Sequence, residues 1–140
     1  ERILLDIRDK TCIKRTYIFD QANRINEFIY KKYSVSPDFP FKSSPYHGVY
    51  RNKDNKWFGI LMDIPFNKID KNKSGLIEVI NVKINPNDKD NLLKIEGIYE
   101  AYHMNKKSWI SIVLDDTLSD DLISELIDNS YKLVSKHGTI

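Results

Sequence analysis

Ile25, Phe28, Ile29 and Tyr33 recur at spacings of three and four with polar positions between them, so residues 20–33 are predicted to form a one-sided helix. Asp20 is placed to cap it, and Lys31 and Lys32 fall in its last turn, where the helix dipole favours cations. Ser36-Pro37 and the prolines at 40 and 45 forbid continuation and give a stiff loop. The period then changes. Residues 46–51 read as extended, Asn52-Lys53-Asp54-Asn55 as a turn and 56–64 as a second strand, which together make a hairpin. Residues 65–75, with Pro65, three lysines and Gly75, read as a mobile basic loop. Over 76–85, Ile80, Val82 and Ile84 alternate with Asn81, Lys83 and Asn85, a third strand. Asn85-Pro86 opens a short helix with Leu92 and Leu93 on its buried side and Gly97 as its stop. Residues 98–108 lead into a strand over 109–114. From Ser119 a long helix follows, with Leu118 and Ile123 set for a hydrophobic staple. Its stripe is Leu122, Ile123, Leu126, Ile127, Tyr131, Leu133 and Val134, and His137-Gly138 ends it. Ahead of all this, Ile3, Leu4 and Ile7 mark the end of a helix within 1–10, and 11–19 is a connector anchored by Tyr17, Ile18 and Phe19.

Strands joined by short turns and flanked by amphipathic helices give an α+β fold: a mainly antiparallel sheet covered on one face by two long helices. A chain of 140 residues is long enough to bury a core without staples. With a single cysteine, Cys12, no intrachain disulfide can form, and a reducing, cytoplasmic setting is expected. No run of about 18 apolar residues exists to span a membrane.

Charge sharpens the picture more than composition does. The net charge of +2 hides a segregation. Residues 42–73 hold seven bases against three acids, and residues 115–128 hold six acids and no base. Asp120 and Asp121 complement a helix dipole, and lysines at sheet edges are often only solvated. Catalytic signatures are missing. The five glycines are too scattered for a phosphate loop, no serine sits in a nucleophile elbow, and His47, His103, His137 and Cys12 have no metal-ligand spacing. No enzyme activity, cofactor or metal is therefore expected. The densest chemistry lies in Ala-Tyr-His-Met-Asn-Lys-Lys-Ser-Trp, residues 101–109, which joins aromatics, a histidine, an amide and two lysines. A phosphate-binding surface uses such groups: lysines as point charges, amides as readers, rings for stacking. Trp109 alone reads as a core edge, and Lys106 and Lys107 as the turn residues best suited to function.

Tyr102-His103-Met104-Asn105-Lys106-Lys107 followed by Trp109 resembles the signature of the bacterial MmcQ/YjbR family. Leu114-Asp115-Asp116, Ser119-Asp120 and Leu126-Ile127-Asp128 with Ser130-Tyr131 extend the likeness downstream. Tyr50-Arg51, Lys56-Trp57-Phe58-Gly59 and Val82-Lys83 extend it upstream. The resemblance covers about residues 20–136, with Ser108 standing where many members have His. It implies a frataxin/CyaY-like fold and a DNA-binding label. It also implies that 1–19 is the tail of a missing N-terminal domain and 20–140 the family domain. An iron-donor role is disfavoured, because the 20–33 helix has only Asp20 and Glu27 as acids against Arg24, Lys31 and Lys32. The expectation is a non-catalytic module that binds DNA weakly through phosphates, using Arg51, Lys53, Lys56, Tyr102, His103, Asn105, Lys106 and Lys107. The alternatives are a protein-interaction or regulatory module, in which the acidic 115–128 stretch would meet a basic partner or the basic hairpin an acidic one, and a small-molecule or enzyme site under residues 102–105.

Overall fold

The computed structural model describes residues 16–135. The helix end expected in 1–10, Cys12 and the His137-Gly138 stop lie outside the described residues. The first helix, α1, spans Asp20–Tyr33 as its periodicity requires, and buries Ile25 and Ile29. Asp20 does not cap it. The cap position is Phe19, which has no side-chain acceptor to offer. The buried carboxylate of Glu78, reaching over from the sheet, accepts from the Ile18 and Phe19 amides at 3.0 and 2.7 Å. A long-range acceptor thus holds the chain entry that a local cap was expected to hold. Tyr17 and Phe19 anchor this entry as expected, whereas the Ile18 side chain is exposed.

Five strands follow: β1 (Gly48–Arg51), β2 (Trp57–Pro65), β3 (Leu76–Lys83), β4 (Ile98–Glu100) and β5 (Trp109–Val113). They form one antiparallel sheet in the order β1-β2-β3-β5-β4. The three-residue β4 has too few positions to show alternation in the sequence. The α-helices complete the set with α2 (Lys89–Leu92), a single turn, and α3 (Asp120–Ser135). The Asn85 side chain caps the turn before α2 by accepting from the Asn87 amide at 2.9 Å. Ser119 caps α3 through the Leu122 amide at 3.1 Å, with Leu118 and Ile123 buried beside it.

Tyr50, Leu61, Ile80, Val82, Ile110 and Ile112 share the sheet face that packs against Ile25 and Ile29 of α1 and Ile123 and Ile127 of α3. The register slips once along the β1–β2 ladder: Tyr50 pairs with Gly59, but Arg51 pairs with Trp57. Phe58 is the extra residue of a β-bulge. Its ring joins the helix-side core and turns Trp57 to the other face. The bulge leaves a main-chain gap, which the buried Ser130 hydroxyl fills by donating to the Phe58 carbonyl (2.7 Å) and accepting from the Lys83 amide (2.9 Å). Ser130 thereby takes a core position that the apolar stripe did not mark, while Leu133 is only half-buried.

The second sheet face is not left to solvent. Val49, Ile60, Met62, Ile64, Ile77, Val79 and Val113 are buried there, with Phe66 and Ile69 of the 65–75 segment and Tyr102 and Met104 of the 101–108 segment packed against them. The 65–75 segment is not the mobile loop expected: it begins with a 3-10 turn at Phe66–Lys68. The Phe66 amide bonds the Gly75 carbonyl (2.8 Å), and the Tyr99 hydroxyl donates to Asp70 (2.8 Å). The 34–47 segment pairs with the sheet edge through two main-chain hydrogen bonds between Asp38 and Val49.

Candidate functional site

The 101–108 segment lies across the second sheet face, and two buried polar residues beneath it explain its position. Asn81 and Ser111 sit opposite one another on β3 and β5, fully buried. The Ser111 hydroxyl donates to the Asn81 side-chain oxygen and accepts from the Tyr102 amide at 3.0 Å. The Asn81 side-chain amide donates to the Tyr102 carbonyl at 2.9 Å. Polar groups this deep are tolerated only when satisfied, and these are satisfied by holding Tyr102 by both ends of its backbone. The next residue, His103, adopts the left-handed conformation at φ 59° and lays its ring flat on that of Tyr102, centroids 4.0 Å apart and planes 12° apart. A non-glycine residue in that region is uncommon, and it persists here because the flanking contacts fix it.

Beside this stacked pair is a pocket of about 380 Å³. Trp57, Ile60 and Met62 of β2 form its floor, Tyr102, His103 and Met104 one wall, and Phe41, Ser43, Ser44 and His47 the other. Phe41 meets Trp57 edge to face at 6.2 Å, and the His47 Nε2 lies 3.3 Å from a carboxylate oxygen of Asp63. A larger groove of about 560 Å³ between Lys83–Leu92 and α3 is lined without any aromatic ring or imidazole.

The expected site residues divide into three groups. Tyr102 and His103 line the pocket. Arg51, Asn105 and Lys106 are engaged internally. The Arg51 guanidinium makes two 3.1 Å bonds to Asp38 and lies 5.5 Å from the Trp57 ring. The Asn105 side-chain oxygen accepts from the Lys107 amide (2.8 Å), and the Lys106 ammonium donates to the Ala101 carbonyl (2.6 Å). Lys53, Lys56 and Lys107 remain exposed, with no carboxylate partner among the described residues.

The topology also splits the basic stretch 42–73. β2 runs from Trp57 to Pro65, so the 52–56 turn and the 65–75 loop lie at opposite ends of the sheet. The lysines at 68, 71 and 73 therefore do not join the hairpin turn in one basic face. Antiparallel pairing brings a different partner to the turn's end: Arg51 opposes Trp57 and Lys83 opposes Trp109, so the 52–56 turn and Lys107 share that end. The acidic stretch is partly consumed. Arg24 bonds both Asp116 and Asp120. Asp128 accepts from the Tyr33 hydroxyl at 2.6 Å and pairs with Lys32 and Lys132, contacts that hold its carboxyl down at about 2. Burial, followed by that same carboxylate, pushes the Tyr33 hydroxyl well above its usual range.

His47, Trp57 and Met62 are pocket residues that charge and motif reading passed over. The available signal was β2 itself, uncharged and largely apolar on both sides from Phe58 to Met62, which an antiparallel strand shows only when both faces are covered. Among the described residues, no group of three or more His, Cys, Asp or Glu is placed to hold a metal, and no helix is long and apolar enough to cross a membrane.

A sequence model of the YjbR family matches residues 30–133. The uncharacterized protein YyaQ of Bacillus subtilis (strain 168) is 36% identical over 110 residues, covering 78% of this chain and 93% of the relative. A crystal structure of a protein from Pseudomonas syringae shares 40% identity with a TM-score of 0.76, covering 79% of this chain and 95% of that one. The Deinococcus radiodurans protein DR2400, 23% identical with a TM-score of 0.61, shares the fold.

Proposed function

The chain belongs to the YjbR family, and from that footing we propose that it is a non-catalytic module that binds nucleic acid weakly through phosphates at one end of its sheet. The observation that carries this reading is that Lys53, Lys56 and Lys107 lie exposed at the same end of the sheet. Antiparallel pairing brings the hairpin turn and the last residues of the 101–108 segment to the same end, and these three ammonium groups are exposed there. Exposed lysines without carboxylate partners interact with phosphates as point charges and release counterions. Arg51 and Lys106 have structural duties in this reading, and Asn105 shapes the turn that presents Lys107. The same reading assigns the architecture to the frataxin-like class, supported by α1 and α3 lying against a common face of an antiparallel sheet, and places the protein in the cytoplasm. A protein-interaction role for the acidic 115–128 stretch is less favoured, since Asp116, Asp120 and Asp128 are already paired.

The test is a titration of duplex and single-stranded DNA at several salt concentrations against wild type and Lys53→Glu/Lys56→Glu/Lys107→Glu. The reading requires binding at low ionic strength with little sequence preference, a steep loss with salt, and a shallower salt slope, by about one per lysine, in the variant. Absence of binding at low salt, or equal binding by the triple variant, would refute it.

A further inference from the structure

We infer that the pocket between Trp57, Tyr102 and His47 is a binding site for a neutral, planar heteroaromatic ring of nucleobase size. This site is separate from the lysine end of the sheet and stands on different residues. Three observations point to it. First, the walls are flat and built in advance. Tyr102 is pinned through its amide and carbonyl by Ser111 and Asn81, and His103 is stacked on it in a backbone conformation that free histidine disfavours. A ring entering beside this pair therefore meets a stacked aromatic surface carried on a backbone already held in place.

Second, the chemistry of the lining is apolar with a polar edge. Trp57 and Met62 give a stacking and dispersion floor, while Ser43, Ser44 and His47 put hydroxyls and an imidazole on one side. This suits a ring with faces to stack and in-plane donors and acceptors at its rim. Third, neither charge nor size suits anything much larger or ionic. Among the described residues no lysine, arginine or carboxylate lines the pocket, and its volume of about 380 Å³ lies at the small end for ligand sites. A phosphate or a carboxylate would find no lysine or arginine in the lining, whereas an uncharged base or nucleoside matches its stacking faces and polar edge.

The experiment follows the Trp57 indole Nε1–H by two-dimensional NMR in the full chain, with the Trp109 indole as internal reference. The probes are adenosine, guanosine, cytidine, uridine and thymidine, each alone, then ribose 5-phosphate and a single-stranded thymidine oligonucleotide. The expected result is a saturable shift at Trp57 with at least one nucleoside and none with ribose 5-phosphate. Tyr102→Ala should weaken that binding by about five- to a hundred-fold, the range of a base–aromatic stack. Tyr102→Phe should leave it within about two-fold. Because Asn81 and Ser111 hold only the backbone of residue 102, the alanine variant keeps those bonds. Ser43→Trp, a change at an exposed loop position that fills the pocket mouth, is the second variant and should abolish the shift.

The inference fails if no nucleoside moves Trp57, if ribose 5-phosphate competes equally, or if Ser43→Trp still binds. An oligonucleotide that binds without moving Trp57, while nucleosides do not bind, overturns this site and leaves the phosphate reading standing. Nucleoside binding without oligonucleotide binding does the reverse.

Discussion

The hydroxyl of Ser130, on α3, donates to the backbone carbonyl of Phe58 at 2.7 Å, at the point where the β1–β2 register slips. The same oxygen accepts from the Lys83 amide, so one side chain satisfies both main-chain groups that the bulge separates. Ser130→Ala would leave a buried carbonyl and a partly buried amide without this partner. The expected cost is about 2–3 kcal/mol of folding stability, from the desolvation of groups left unsatisfied. Urea unfolding of the two proteins measures it, and a difference below about 0.5 kcal/mol would show that the hydroxyl is not what closes the bulge.

Asp128 links stability to pH. Its carboxyl is held down at about 2, first by the Tyr33 hydroxyl and then by Lys32 and Lys132. The unfolded carboxyl, near its ordinary value of about 3.9, takes up protons first as pH falls. The native pairing therefore contributes fully above roughly pH 5 and is lost as pH drops toward 2. Asp128→Asn should cost about 1 kcal/mol at pH 7, since solvent at this rim position screens part of the pairing. The gap between the two proteins should close on acidification. Denaturant curves from pH 7 to pH 2.5 check this, and a gap that stays constant or widens contradicts it.

Asn81 and Ser111 should matter more to the 101–108 segment than to the sheet. Asn81→Ala removes the donor to the Tyr102 carbonyl and the acceptor of the Ser111 hydroxyl. We expect a loss of about 1–3 kcal/mol in stability. Amide hydrogen exchange at Tyr102 should be much faster, with exchange in the β2–β3 ladder affected only by the global change. Equal acceleration of both would mean that the pair supports the sheet and not the segment.

Much of the architecture was legible because helix and strand periods are local properties. The stripe from Ile25 to Tyr33 and the staple of Leu118 and Ile123 state their elements within a few residues of chain. The candidate site was legible in part. The unusual composition of 101–109 marked Tyr102 and His103, but the alternation of β2 hid Trp57. Counted back from Leu61 in steps of two, Trp57 belongs with the helices, and only the extra residue at Phe58 sends it to the pocket. Asp20 looked like a cap by position, yet the acceptor that won was Glu78, far away in sequence. Charge counting went furthest astray over 42–73, because a nine-residue strand carries its two flanking loops to opposite ends.

The bulge at Phe58 also makes neighbours of two otherwise separate layers. Trp57 floors the pocket, Phe58 packs among the helix-side aromatics, and Ser130 clamps the peptide between that core and β3. The peptide beside the pocket floor is thus tied, through a single hydroxyl, to both the last long helix and the Lys83 amide of the central strand.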